Sequence, residues 1–191
     1  LLAAAAAAFG GAVICNANKS ELTVGYSTMY GDSVGYFAPL GDLWKCPVYE
    51  LAKYIYEATG LMPLAALVLK PSAELSAAQS IEAGLGDPIH YDYHDYLFRS
   101  WVEWGHDITD TLTFYDQGRL PEVTGCGTEQ LRQLFPDDIA FLEDLEHWWQ
   151  LYRGLAVAKR LQAPPVLSLS RRAFGGDLPE SQTGCWLDGE Y

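Results

Sequence analysis

The chain has 191 residues, 49% of them hydrophobic and 13% aromatic, which is enough for one globular domain with a substantial core. Its formal net charge of −13 argues against a surface that binds nucleic acid or an anionic membrane, because such surfaces are basic. The charge does not exclude phosphate ligands, which a divalent cation and a few placed basic residues can neutralise locally.

The apolar, alanine-rich residues 1–15 lack the positive n-region of a signal peptide and are shorter than the ~20 residues of a membrane span. Residues 1–9 are predicted to form a helix that ends at Gly10, and residues 11–15 a buried strand. Because the chain opens inside a helix without a methionine, we expect it to be the carboxyl-terminal part of a longer, cytoplasmic protein. The cysteines have no paired spacing and are expected to be free thiols: Cys15, Cys46, Cys126 and Cys185.

After the predicted strand, a polar turn leads into a short helix over residues 19–26, and residues 27–41 are predicted to form an ordered loop. A strand, a turn and a helix in this order describe the carboxyl-end crevice of an open α/β sheet, where ligands of such folds bind. Asp42 is a predicted N-cap for a helix over residues 43–59. The apolar residues of that helix repeat at 3.6-residue spacing, so one face is expected to pack on the sheet.

Further along, residues 64–69 are predicted to be a strand or an extended segment, and two helical pieces are expected within residues 91–114. One long amphipathic helix is predicted from residue 137 to residue 161. His90 and His94 have the i, i+4 spacing of zinc ligands, but no cysteine is near them and a structural role is favoured. A core or interface role is predicted for four tryptophans: Trp101, Trp104, Trp148 and Trp149.

Five short motifs follow one another along the chain. They are Asn16-Ala-Asn-Lys-Ser-Glu21, Gly25-Tyr-Ser-Thr-Met-Tyr-Gly-Asp32, Asp42-Leu-Trp-Lys45, Lys70-Pro-Ser-Ala-Glu-Leu75 and Ser170-Arg-Arg-Ala-Phe-Gly175. Together they resemble the synthetase domain of NAD synthetases. The apolar Met29, where ammonia-dependent relatives tend to have lysine, is similar to the glutamine-dependent branch.

The resemblance implies an α/β fold: part of an adenine-nucleotide α-hydrolase-like (Rossmann-like) domain with a parallel sheet. Residues 1–90 would be the second half of the nucleotide-binding synthetase domain, and residues 91–191 its helical carboxyl-terminal extension. The implied reaction is the ATP-dependent amidation of deamido-NAD to NAD through an adenylate, with release of pyrophosphate and AMP. Mg²⁺ would neutralise the phosphates, and ammonia would come from glutamine hydrolysed by a domain that this chain lacks.

The resemblance also implies roles for individual residues. Glu21 and Ser72 would bind Mg²⁺, Ser72 would also bind substrate, and Lys45 would contact the leaving phosphates as a catalytic residue. Considered without the resemblance, Glu21 fits a carboxylate that favours the start of a helix. Lys45 alone would be a solvated lysine, and Ser72 alone a turn residue.

Four further residues match the family motifs. Asp32 would be catalytic and lie beside deamido-NAD, and Asn16 would contact the adenosine of ATP. Arg171 and Arg172 would close over the phosphates; without the resemblance they would be solvated side chains.

The family's pyrophosphate loop, Ser-Gly-Gly-x-Asp-Ser, does not occur in this sequence. We therefore expect the chain to be inactive alone, within a parent ligase that forms homo-oligomers and binds neither nucleic acid nor membranes. A second hypothesis is a truncated, non-catalytic chain that keeps only folding or oligomer contacts. A third, an ATP-pyrophosphatase amidotransferase acting on another acid, is weaker because those families lack the Asn-Lys-Ser-Glu and Lys-Pro-Ser-Ala-Glu-Leu combination.

Overall fold

A computed structural model of the protein describes residues 1–31, 33–73, 79–83 and 85–174. The elements in these ranges are helical, with two isolated β-bridges and no longer strand. In chain order the helices are α1 (Leu2–Phe9), α2 (Lys19–Val24), α3 (Lys45–Thr59), α4 (Leu64–Val68), α5 (Tyr91–Glu103), α6 (Ile108–Asp116), α7 (Leu120–Thr124), α8 (Thr128–Leu134), α9 (Asp138–Arg153) and α10 (Leu155–Gln162).

Helices with clear capping residues begin and end close to where the sequence predicts. The helix α1 ends at Gly10, as predicted, in the left-handed conformation that favours glycine. The helix α2 is predicted to continue to residue 26 but ends at Gly25, which has the same conformation. The side chain of Asp137 accepts a hydrogen bond from the backbone N–H of Ala140 (2.9 Å) and so caps α9. The predicted end of α1 and the predicted start of α9 are confirmed, and each depends on neighbouring residues alone.

The predicted strand over residues 11–15 is reduced to one bridge residue, Ile14, which pairs in parallel with Phe37. Ala38 pairs in parallel with Val166 in the same way, so a short extended segment at residues 36–38 lies between two others. The backbone N–H of Cys15 donates to the carbonyl of Phe37 (3.0 Å), and that of Ala38 to Pro165 (2.9 Å). The three segments run in the same direction, as the strands of a parallel sheet do, but the described residues form no sheet.

The prediction of a strand or an extended segment over residues 64–69 is wrong, since this segment contains the helix α4. A short apolar run does not distinguish a strand from a helix by periodicity. Composition is the better guide here. Leucine and alanine fill positions 64–67 and favour a helix, whereas the β-branched Val68 comes only at its end.

Two predictions about α3 are also wrong. The helix begins at Lys45 rather than residue 43, and its N-cap residue, Trp44, makes no side-chain capping bond. Asp42 does not cap it, because the carboxylate of Asp42 is engaged with Lys19 and with the residue 169–170 backbone. None of the residues of α3 is buried, so its apolar face does not pack on a sheet within the described part of the chain.

The long helix predicted over residues 137–161 is divided at Gly154 into α9 and α10. Gly154 has φ −105° and ψ −109°, a backbone conformation outside the helical region. The apolar spacing continues across the break, which explains why the pattern alone predicts one helix. The break turns α10 back to pack against both α9 and α2.

The core is centred on α5, which packs against α2, α3 and α7. Tyr93, Leu97 and Phe98 have no exposed surface, and Trp101 and Trp148 are buried beside them. Trp104, for which a core or interface role is predicted, is exposed after the end of the helix and is not part of this core. The helix α1 contrasts with this core, because none of its apolar side chains is buried.

Cys15, Cys46 and Cys126 are free thiols, as predicted, and Cys185 lies outside the described residues. Two of the three thiols, those of Cys15 and Cys126, are buried in the core. Among the described helices, none has the length and apolar character needed to cross a membrane.

A buried ion pair joins the start of α2 to the carboxyl-terminal segment. Lys19 has no exposed surface, and its Nζ donates to Asp42 Oδ1 at 2.8 Å and to Glu103 Oε1 at 3.2 Å. The Lys19 Nζ also lies 3.2 Å from Ser170 Oγ, and Asp42 accepts from the Ser170 backbone N–H. Burial acts to raise the pKa of Asp42, but the hydrogen bonds from Lys19 and the backbone outweigh it and lower that pKa.

Substitution of Lys19→Met should destabilise the chain strongly, because it leaves the buried Asp42 carboxylate without its cation. We expect the free energy of unfolding to fall by about 3–5 kcal/mol, measured by urea denaturation. The matched control is Lys53→Met, which removes an exposed pair with Glu57 (3.9 Å). That change should cost less than about 1 kcal/mol, and equal effects of the two substitutions would contradict the prediction.

Candidate functional site

A cavity of about 470 Å³ opens between the start of α2, the start of α3 and the chain segment after α4. Four of the residues predicted for the site lie in its lining: Asn16, Glu21, Lys45 and Ser72. Asn16 is exposed, whereas Glu21, Lys45 and Ser72 are partly buried. Residues from three separate motifs are therefore brought to one cavity.

Glu21 is held by a capping box at the start of α2. Its backbone N–H donates to the Asn18 side chain (3.1 Å), and its Oε2 accepts from the Asn18 backbone N–H (3.1 Å). The structural role expected of a carboxylate at a helix start is thus present. The second oxygen, Oε1, accepts a hydrogen bond from the Lys45 ammonium across the cavity.

Lys45 is the first residue of α3, where a cation is unfavourable because the helix dipole is positive at this end. The Glu21 carboxylate compensates: Lys45 Nζ lies 3.1 Å from Glu21 Oε1, and each side chain is 19% exposed. The ammonium also lies 5.1 Å from the centre of the Tyr91 ring. A partly buried ammonium of this kind can donate to an anionic ligand that enters the cavity.

Ser72 lies in the extended segment after α4, and its hydroxyl donates to the backbone carbonyl of Gln79 at 2.5 Å. The Gln79 amide in turn donates to the Tyr26 hydroxyl. The next backbone N–H, that of Ala73, donates to Asp87 Oδ1 at 2.9 Å. These bonds hold the Ser72 segment against the wall of the cavity.

Asp87 was not predicted, yet it organises one side of the cavity. Its carboxylate accepts hydrogen bonds from the hydroxyls of Tyr26 (3.2 Å) and Tyr91 (3.1 Å) as well as from Ala73. Burial, together with the Asp87 charge, raises the pKa of Tyr26 to about 12. Burial and the nearby Glu21 and Asp87 charges also raise the pKa of Tyr91, so both phenols stay protonated as donors.

The sequence held little signal for this side of the cavity. Gly86-Asp87-Pro88 is a sequence typical of a turn, and Tyr26 and Tyr91 are residue types common in cores, so neither pattern predicts a site. Lys70 is a further basic residue in the lining. Among the described residues, the lining of the cavity therefore combines two carboxylates and two ammonium groups with hydroxyl groups.

Among the remaining predicted residues, those that the structure describes do not line the cavity. Arg171 and Arg172 are exposed beside Ser170, and neither is in the lining of the cavity as the described residues define it. Asp32 lies outside the described residues. His94, considered for zinc, is buried and bonded through Nε2 to Asp144 (3.0 Å), so it belongs to the core.

No group of three or more histidine, cysteine, aspartate or glutamate side chains that could hold a metal occurs within the described ranges. Mg²⁺, however, is commonly bound through one or two carboxylates, with substrate phosphates and water as its other ligands. The Glu21 carboxylate and the Ser72 hydroxyl are oxygen donors in one cavity. This donor set fits a Mg²⁺ ion that enters with a phosphate ligand.

Comparison with known proteins identifies related sequences. A family model described as NAD synthase matches residues 1–122. The glutamine-dependent NAD(+) synthetase of Xanthomonas campestris is 35% identical over 169 residues, which cover 87% of this chain and 26% of the relative. The enzyme of the same name from Synechocystis is 42% identical over 175 residues, covering 92% of this chain and 26% of that protein.

The structural comparison agrees at the level of the fold. The crystal structure of a glutamine-dependent NAD(+) synthetase from Cytophaga hutchinsonii has a TM-score of 0.56 with 16% sequence identity. The match covers 90% of this chain and 24% of that one. The chain thus spans about a quarter of the length of the relatives it matches.

Because Asp87 lies beside Tyr26, substitution of Asp87 should change the pKa of Tyr26. Substitution of Asp87→Asn removes a negative charge beside Tyr26, so the pKa of Tyr26 should fall from about 12 yet stay above 10 because burial persists. Tyrosinate absorbance during a pH titration measures this, and Tyr26→Phe assigns the transition. Asp116→Asn, at an exposed position, is the control. An unchanged pKa of Tyr26 in Asp87→Asn would contradict the prediction.

The same raised pKa has a consequence for stability. The folded protein holds the Tyr26 proton more tightly than the unfolded chain does, so this stabilisation is present below pH 10. It is lost as the pH rises towards about 12. Wild-type protein should therefore lose more stability over this window than Tyr26→Phe, as measured by denaturant unfolding at each pH.

Proposed function

The chain belongs to the NAD synthase family, and on this basis we propose that it forms part of a ligase that amidates deamido-NAD to NAD. In the proposed reaction the nicotinate carboxylate attacks the α-phosphate of ATP. A phosphorus–oxygen bond to the leaving pyrophosphate breaks, and an acyl adenylate forms. Ammonia, produced from glutamine elsewhere in the whole protein, then attacks the acyl carbon and displaces AMP.

One observation carries the proposal: Glu21, Lys45 and Ser72, from three separate motifs, line one cavity. Attack on a phosphate needs little covalent help from the protein, so positioning and neutralisation of charge are the main requirements. A cavity that combines ammonium groups, carboxylates and a hydroxyl can meet both. The net charge of −13 makes such local placement of cations necessary for a triphosphate.

Lys45 is proposed to donate to the leaving phosphates, where its ammonium stabilises the charge that develops on pyrophosphate. Its present partner, Glu21 Oε1 at 3.1 Å, keeps the ammonium oriented towards the cavity until the ligand arrives. Glu21 and Ser72 would hold Mg²⁺, which when bound supplies neutralisation of the phosphate oxygens. Asn16, exposed at the edge of the cavity, is proposed to contact the adenosine of ATP.

Asp32 is proposed to contact deamido-NAD, and Arg171 and Arg172 to reach the phosphates when the nucleotide is bound. Ser170 is held by the Lys19–Asp42 pair, and Phe174 lies 4.8 Å from the Arg160 guanidinium. The two arginines are therefore on a short segment fixed at both ends. This limits how far they can move.

The architecture of the whole protein is part of the proposal. The extended segments at residues 13–15, 36–38 and 165–167 would belong to a parallel sheet that other parts of the whole protein extend. Residues 1–90 would then contribute to the nucleotide-binding domain, and residues 91–191 to its helical extension. The whole protein would form a homo-oligomer, as expected from the resemblance.

Binding of Mg·ATP to the 191-residue chain tests the role of the cavity. Isothermal titration calorimetry should detect binding to the wild type. Loss of one charge-assisted hydrogen bond of ~1.5–3 kcal/mol in Lys45→Met should weaken it by about 10- to 100-fold. In Glu21→Gln, binding should depend less on added Mg²⁺. The control is Lys53→Met, on the exposed surface of the same helix, which should bind like the wild type.

A chimera tests the reaction itself. The chain would replace the matched segment of the Xanthomonas campestris relative, and NAD formation from deamido-NAD, ATP and ammonia would be measured. We expect activity in the chimera and none in the chain alone. Two results together would favour the non-catalytic alternative: the chain binds no Mg·ATP, and a folded chimera forms no NAD.

A further inference from the structure

The helix α3 begins without a capping residue of its own. Its N-cap residue, Trp44, makes no side-chain capping bond, and its first backbone N–H groups, of Lys45 and Cys46, have no partner within the helix. Pro47 has no N–H to satisfy, and Val48 already donates to the Trp44 carbonyl (3.1 Å). Two donors at this end therefore need partners from elsewhere in the molecule.

Both partners come from other helices. The Lys45 N–H donates to Ser20 Oγ of α2 at 2.9 Å, and the Cys46 N–H donates to Asp95 Oδ2 of α5 at 2.8 Å. The Ser20 hydroxyl then donates its own proton to Asp95 Oδ1 at 2.5 Å. One carboxylate thus holds the starts of two helices, directly for α3 and through a hydroxyl for α2.

We propose that Asp95 is a positioning residue for the Glu21–Lys45 pair, acting through Ser20 and the Cys46 backbone N–H. Ser20 directly precedes Glu21, and Cys46 directly follows Lys45. The carboxylate that bridges Ser20 and Cys46 therefore sets the distance between the two backbones from which the pair extends. This inference rests on the proposed function where it concerns ATP, but the positioning itself does not.

The surroundings of Asp95 suit this role. Asp95 is 5% exposed and Ser20 is fully buried, so the three hydrogen bonds are protected from water. A carboxylate at the start of a helix is also favoured by the helix dipole. The preceding residue, His94, faces the other way and bonds to Asp144 of α9 at 3.0 Å. The helix α5 is thereby fixed against α9 on one side while Asp95 reaches α2 and α3 on the other.

Asp95 differs from the residues of the cavity itself. It is not in the cavity lining as the described residues define it, so it would not touch a ligand there. Its effect on ligand binding should therefore depend on Lys45. A residue that supported the fold in general would act equally whether Lys45 were present or not.

A double-mutant cycle makes this distinction. Asp95→Ala should weaken Mg·ATP binding by about 5- to 10-fold in the wild type, and by less than about 2-fold in a Lys45→Met background, because residues in one hydrogen-bond network are coupled. Asp95→Asn should restore most of the affinity, since its amide oxygen can accept from Cys46 while its NH₂ group donates to Ser20. Asp92→Ala, on the exposed face of the same helix, is the matched control.

Amide hydrogen exchange tests the positioning without any ligand. Asp95→Ala should lower the protection of the Lys45 and Cys46 amides by about 10-fold, while the core amides of α5 keep theirs. Unchanged protection of these two amides, or equal losses of ATP affinity in both backgrounds, would overturn the proposal. If the wild type bound no Mg·ATP, the proposed function would fail, and the exchange measurement would still decide the positioning.

Discussion

The buried ammonium of Lys19 joins four parts of the molecule. It bonds to Asp42 in the loop before α3, to Glu103 at the end of α5 and to Ser170 in the carboxyl-terminal segment, while its own backbone begins α2. A charge without exposed surface is tolerated only where counter-charges and hydrogen bonds surround it. The need to satisfy Lys19 therefore determines which segments meet at the start of α2, and the cavity lies beside this point.

The residues of the Asn-Lys-Ser-Glu motif divide the work between structure and site. Asn18 caps the helix, Lys19 forms the buried ion pair and Ser20 bonds to Asp95, whereas Glu21 extends into the cavity. Four consecutive residues at a helix start point in different directions, which explains this division. A motif of this kind thus contains more residues that build the site than residues that face its ligand.

The helices with strong local signals and four residues of the cavity lining are predictable from the sequence. Prediction from the sequence is wrong where the deciding contact is distant. Asp42 is a residue type that favours the N-cap position, but its carboxylate bonds to Lys19 instead. The first backbone N–H groups of α3 bond to Ser20 and Asp95. Asp87 went unpredicted because two of its three partners, the Tyr26 hydroxyl and the Ala73 backbone N–H, lie 61 and 14 residues away along the chain.

The sequence by itself determined the local features: where α1 ends at glycine, the cap of α9, the apolar spacing of α5, and the family to which the motifs belong. Only the tertiary structure decided that Ser20 and Asp95 cap α3, that one apolar pattern is divided at Gly154, and that Lys45 pairs with Glu21. The physical reason is the separation along the chain over which each interaction acts. Caps and helix propensities act over a few residues, whereas burial, ion pairing and the satisfaction of helix ends depend on which distant segments are packed together.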